Sequence, residues 1–126
     1  MKKNSWALVC NLVMLWFCIS CTQSNNDNVN INISESEHYY KMLAHFSTGK
    51  TTAVDDFMDY KIGNSSNMSF ANSRIDGKLS LDDHTTFYIK KYPGYLQIKL
   101  NKDENAAEAY ERIKSMCEGI KKVIAK

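Results

Sequence analysis

Apolar and polar positions change their period several times along the chain, and each change marks an element. Met1-Lys2-Lys3-Asn4-Ser5 is short and positive, and Trp6 to Ile19 is an apolar run broken only by Asn11. Thr22 to Asn28 is polar and asparagine-rich, which suits a flexible tether. Val29-Asn30-Ile31-Asn32-Ile33 alternates strictly, the period of a short strand. At Ser34 the pattern changes. Ser34 and Glu37 stand at capping-box spacing, and Tyr39, Met42, Leu43 and Phe46 recur at helical spacing, so a helix is expected from Ser34 to a stop at Gly49. A second, shorter helix is expected from Thr51 or Thr52, carrying Val54, Phe57 and Met58 and ending by Gly63.

Beyond the turn-rich Asn64 to Asn67 the period returns to that of strands. Met68 to Ile75 and Lys78 to Leu81 flank Asp76-Gly77, a hairpin signal. A loop that pairs Ile75 with Leu79 groups the apolar side chains on one face. Thr85 to Tyr92 and Tyr95 to Asn101 flank Pro93-Gly94. An even-length loop there sets Ile89 opposite Ile98, Phe87 opposite Leu100 and Lys91 opposite Leu96. The other face then carries Tyr88, Lys90, Tyr92, Tyr95, Gln97 and Lys99. Asp103 is positioned to cap a last helix whose stripe is Ala106, Tyr110, Ile113, Cys117, Ile120 and Ile124. The expected fold is α+β: two N-terminal helices, an antiparallel four-stranded meander, and a long C-terminal amphipathic helix packed on the sheet.

The apolar run from Trp6 to Ile19 falls short of the about 20 residues a spanning helix needs. With its positive start it has the composition of an export signal. At Cys18-Ile19-Ser20-Cys21 the chain resembles the lipobox of bacterial lipoproteins. Ile19, Ser20 and Cys21 match that motif, whereas leucine is usual where Cys18 stands. The resemblance implies a signal peptide over residues 1–20 and lipid on Cys21. Composition and periodicity give a tether over 21–33, of which 29–33 has the period of a short strand, and one domain over 34–126. The resemblance also implies an envelope location. Thr22, rather than aspartate, after the cysteine favours the outer membrane, facing the periplasm. Two or three acyl chains on Cys21 would make a stable anchor where one would not.

Composition changes the picture in two places. All 14 acidic residues lie beyond Cys21, and once Lys2 and Lys3 are set aside the basic residues equal them in number. A domain so balanced lacks the basic excess of a nucleic-acid binder, and no nucleic-acid partner is expected. Of the 4 cysteines, only Cys117 lies beyond Cys21, so no disulfide can staple the domain. On the apolar stripe of a helix, Cys117 reads as a small buried hydrophobe.

Candidate chemistry is sparse. Ala44 to Thr51 loosely matches a phosphate-binding loop, but that loop needs a buried strand before it, and the preceding residues read as helix. His38 and His45 are too far apart along a helix to share a metal. Asp55 and Asp59 share a helix face and read as solvated. No catalytic residue, metal site or cofactor is singled out, and no enzyme activity is expected. The second face of the Pro93-Gly94 hairpin stands out. Tyr88, Lys90, Tyr92, Tyr95 and Lys99 combine aromatic area with charge, as recognition surfaces do. The expected role is a small membrane-anchored envelope lipoprotein that binds an envelope protein, in immunity, exclusion or envelope assembly. The alternative is an envelope hydrolase or small-ligand carrier with a cleft between sheet and helices.

Overall fold

The structure, a computed structural model, describes residues 29–63 and 69–126. The export signal, Cys21 and the tether expected before Val29 lie outside the described residues, as do Asn64 to Met68. Strand β1 (Asn30–Glu35) lies where the strict alternation predicts a strand, and it turns directly into β2 (Tyr39–His45). Ser36 makes that turn. Its hydroxyl accepts from the amides of His38 and Tyr39 at 3.2 and 3.3 Å, and its own amide donates to the Tyr39 carbonyl. This is the serine-turn chemistry that competes with helix formation.

The helix expected from Ser34 to Gly49 is therefore overturned. Tyr39, Met42, Leu43 and Phe46 fit a helical stripe, but Tyr40, Met42 and Ala44 fit a strand equally well, and these are the residues buried. Long-range pairing decides between them. β2 lies between β1 and β5 and is hydrogen-bonded on both sides, with Ile33 opposite Met42 and Met42 opposite Ile98.

A 3-10 turn (Thr48–Lys50) leads into α1 (Thr51–Met58), which continues as a single π turn to Gly63. The second helix is thus where the sequence places it. The chain re-emerges at Ser69 and forms β3 (Ile75–Ser80), β4 (Thr86–Tyr92) and β5 (Tyr95–Asn101). The expected hairpin at Asp76-Gly77 is a second correction. Both residues lie inside β3, Gly77 opposite Ile89 and Asp76 opposite Lys90. The turn comes later, at Leu81 to Thr85, where His84 takes a positive φ of 68° and Asp83 accepts from the Thr85 amide. An uninterrupted β3 sets Ile75 and Leu79 on the core face opposite Lys91 and Phe87, which a turn at Gly77 would forfeit. The Pro93-Gly94 hairpin has the expected even register, Ile89 opposite Ile98 and Lys91 opposite Leu96.

In place of a four-stranded meander with two helices before it, the fold is a five-stranded antiparallel sheet in the order β1-β2-β5-β4-β3. The last helix, α2 (Ala107–Ala125), begins later than Asp103 predicts. Asn101 caps a 3-10 turn at Lys102–Glu104 instead, and Asn105 ties the junction to Thr86 in β4 through 2.8 and 2.9 Å bonds. Both helices lie on one face of the sheet. Val54, Met58 and Ile62 join Ile113, Met116, Cys117, Ile120 and Ile124 in packing on Tyr40, Met42, Ile89, Ile98 and Leu100. At the closest approach of the helices the Phe57 ring lies against Gly119, where a Cβ would be 2.2 Å from the ring tip.

Three buried side-chain oxygens, on Tyr40, Asp55 and Thr85, lack a hydrogen-bond partner among the described residues. At Tyr40, burial pushes the phenol above its ordinary value. Tyr40→Phe removes the stranded hydroxyl and keeps the ring. It is expected to raise unfolding free energy by about 1 kcal/mol, measured by urea titration.

Candidate functional site

Because side chains alternate along a strand, helices on one face leave the other to solvent. Three cross-strand rows run over that open face. Tyr92, Tyr95 and His45 form the first; Asp76, Lys90, Gln97 and Leu43 the second; Lys78, Tyr88, Lys99 and Lys41 the third. The structure thus brings together Tyr88, Lys90, Tyr92, Tyr95 and Lys99, all the binding-surface residues expected from sequence. It adds Tyr39, Lys41, Leu43 and His45 from β2. Sequence reasoning missed these because a helix there would have scattered them. The available signal was the alternation of Tyr40, Met42 and Ala44 beside an already evident strand at β1.

The aromatic groups on this face are packed against one another. The Tyr92 and Tyr95 rings stack at 4.6 Å and 4° between planes. His45 meets the Tyr95 ring edge-on at 4.9 Å, and the Arg74 guanidinium lies 5.8 Å from the Tyr92 ring centre. The Lys99 ammonium sits 5.1 Å from the Tyr39 ring centre. The Tyr88 hydroxyl donates to Asp76, and that bond, with some desolvation, raises its phenol above the ordinary value. Lys78 pairs with Glu104 at 3.0 Å. Between them lies a hollow of about 240 Å³ lined by Lys78, Tyr88, Lys99, Asn101 and Glu104.

Behind the sheet, the described residues hold one ion pair that is almost fully buried. Lys91 points inward from β4 with the apolar set. Its ammonium lies 3.2 Å from Asp55 Oδ1, the two side chains being 3% and 4% exposed. It also donates to the carbonyls of Phe70, at 3.0 Å, and Ser73. Two ammonium hydrogens thus have carbonyl acceptors, and the contact with Asp55 Oδ1 is an ion pair rather than a hydrogen bond. Desolvation raises the Asp55 carboxyl above its ordinary value despite the lysine beside it. The expectation that Asp55 is solvated is overturned: its face of α1 meets the sheet and the 70–73 loop. Asp59, one turn on, accepts from the Phe70 amide at 2.7 Å and from Ser69 Oγ. A polar cleft of about 240 Å³ beside this pair is lined by Thr51, Thr52, Asp55, Arg74 and Lys91.

No family model, curated protein or solved structure matches this chain. The assignment of function therefore rests on the geometry. The Ala44–Thr51 segment does follow a strand, contrary to the helix expected before it, and α1 does follow. The connection is a 3-10 turn in which Ser47 Oγ accepts from the Gly49 amide and Thr51 Oγ1 from the Gly94 amide, so both hydroxyls serve the fold. His38 lies 3.0 Å from Asp103 at the β1–β2 turn, His45 is on the open face, and His84 is in the β3–β4 turn. Cys117 is buried as expected, and burial pushes its thiol pKa up to about 12. A thiol so protonated is a poor nucleophile.

Proposed function

We propose that this protein is a membrane-anchored envelope lipoprotein whose α+β domain binds another protein through the open face of its sheet. One observation carries the binding half: Tyr39, Tyr88, Tyr92 and Tyr95 share a face with Lys41, Lys90 and Lys99, opposite the face on which both helices pack. Aromatic rings held in place by their neighbours lose little entropy on binding, and the Tyr88 and Tyr95 hydroxyls are themselves fixed by hydrogen bonds to Asp76 and Gln97. The lipobox-like residues Ile19-Ser20-Cys21 support the anchoring half. Among the described residues no helix is long and apolar enough to cross a membrane. Attachment in this proposal comes from acyl chains on Cys21.

The two halves are tested separately. Cys21→Ala is expected to move the protein from the washed membrane fraction to the soluble one; retention after washing would defeat the anchor. A photo-crosslinking residue replacing Gln97, at the centre of the face, is expected to give a discrete protein adduct in the producing cell. The same group at Lys122, exposed on α2, is expected to give none. Adducts at Lys122 and not at Gln97 would put the binding surface elsewhere.

A further inference from the structure

Taking the open face as the binding surface, we infer that its partner is a protein that docks an acidic segment across Lys41, Lys99 and Lys90. Lys41 and Lys99 stand directly opposite each other on β2 and β5, and Lys78 lies in the same row beyond Tyr88. Like charges directly opposed on neighbouring strands destabilise a sheet. Among the described residues no carboxylate stands within ion-pair distance of Lys41 or Lys99, although Glu104 lines the same hollow as Lys99 and is paired with Lys78. Of the acidic groups bordering the face, Glu104 pairs with Lys78, and Asp76, which accepts from Tyr88 and stands opposite Lys90, makes no ion pair with it. Elsewhere Glu35, Asp55, Asp83, Asp103 and Glu118 have basic partners off the face. Among the described residues Lys41, Lys90 and Lys99 have no anionic partner, although Lys99 rests over the Tyr39 ring. Among the described residues, the sheet face that the helices leave open thus carries three lysines without an ion pair, against the single unpaired carboxylate of Asp76.

Geometry favours carboxylates on a protein over other anions. Bases of a nucleic acid bind such sheets by stacking on free rings. Here the Tyr92 and Tyr95 faces are spent on each other and on Arg74, and the Tyr39 ring is covered by Lys99. A lipid surface would be gripped by apolar side chains that project, whereas Tyr88, Tyr92 and Tyr95 are half-buried. Neighbouring strands are about 4.8 Å apart and same-side residues of an extended segment about 6.7 Å apart, a difference of about 2 Å that the lysine stems can span, so successive same-side carboxylates can meet Lys99 and Lys41 in turn.

The test uses the full chain in non-ionic detergent and three probes. They are a synthetic peptide of repeating Glu-Gly-Glu-Tyr, an oligo-dT strand, and phosphatidylglycerol–phosphatidylcholine vesicles. The peptide is expected to bind, to shift the amide resonances of β2, β4 and β5, and to lose binding when its glutamates are replaced by glutamine. The Lys41→Glu/Lys99→Glu variant, whose changes lie on the solvent side and are expected to leave melting unaltered, should bind it at least tenfold more weakly. Tighter binding of oligo-dT or of vesicles to this face would overturn the inference, as would peptide shifts confined to α2 or no peptide binding. The double variant also separates this inference from the docking surface itself. If the Gln97 adduct survives in the double variant, the face binds protein but not through acidic groups. If there is no Gln97 adduct even in the unmodified chain, the surface itself is wrong.

Discussion

Lys91→Met is expected to destabilise the domain by about 3–5 kcal/mol, the range for breaking one partner out of a buried ion pair. The methionine fills the space of the lysine stem, so packing changes little. What is lost is the cation. Asp55 is left as a buried carboxylate without it, and the Phe70 and Ser73 carbonyls lose their donor. For a domain of this size such a loss lowers the melting temperature by about 15–30 °C. The deficit is also pH-dependent. Burial already holds the Asp55 carboxyl above its ordinary value, and without Lys91 it rises further. A group whose folded pKa is raised contributes stability that is full below the unfolded pKa and is lost as pH rises through the folded one. The variant therefore lies closest to the unmodified protein in acid and furthest from it at neutral pH. Melts of both proteins across the acid range check this; a deficit constant with pH would mean that Asp55 is not the stranded group. The unmodified protein has an opposing trend. Lys102 and Tyr110 hold the Glu35 carboxyl below its ordinary value. At Asp83 the pull of burial upward is outweighed by hydrogen bonding from Thr85 and by Arg112. Those contributions are present above the unfolded carboxylate pKa and are lost as pH falls through the lowered folded values.

Gly94→Ala is expected to cost about 2–3 kcal/mol, of which roughly 1–2 comes from forcing an L side chain into left-handed backbone and the rest from crowding and weakened hydrogen bonds. Gly94 has φ +80°, and a Cβ there would lie 2.9 Å from the Phe46 carbonyl oxygen. That oxygen is backbone and cannot swing aside. Gly94 also accepts from the Phe46 amide at 2.9 Å and donates to Thr51 Oγ1 at 3.0 Å, tying the hairpin tip to the start of α1. Since Tyr92 and Tyr95 flank the tip, its displacement would also disturb their stack, visible as a change in near-ultraviolet circular dichroism. Gly77→Ala is the matched control. Nothing lies within 4 Å of a Cβ there and the backbone is ordinary strand, so alanine is expected to gain about 0.5 kcal/mol. If both substitutions destabilise alike, the turn does not depend on the left-handed glycine.

The contrast between these glycines shows how far local signals reach. Asp76-Gly77 and Pro93-Gly94 both have turn chemistry, yet only the second is a turn. Pro93 ends the ladder by removing a donor, so β4 cannot run on. Asp-Gly only permits a turn, and the alternation of Ile75, Gly77 and Leu79 continues through it once β4 offers partners for all three.

By itself the sequence determined the α+β class, the second helix, the extent and amphipathic face of most of α2, the register of the Pro93-Gly94 hairpin, and the tyrosines and lysines that share its outer face. Each rests on contacts close in sequence, where periodicity and turn chemistry have one solution. Tertiary structure alone decided β2 and the buried pair. The residues from Tyr39 to Phe46 satisfy helical and strand periods at once, and only pairing with β5, distant in sequence, separates them. That pairing widened the tyrosine–lysine face by Tyr39, Lys41, Leu43 and His45. Lys91 opposite Leu96 already hinted at a charge turned inward. Its partner lay on a helix whose orientation no local pattern encodes, and so Asp55 passed for a solvated residue.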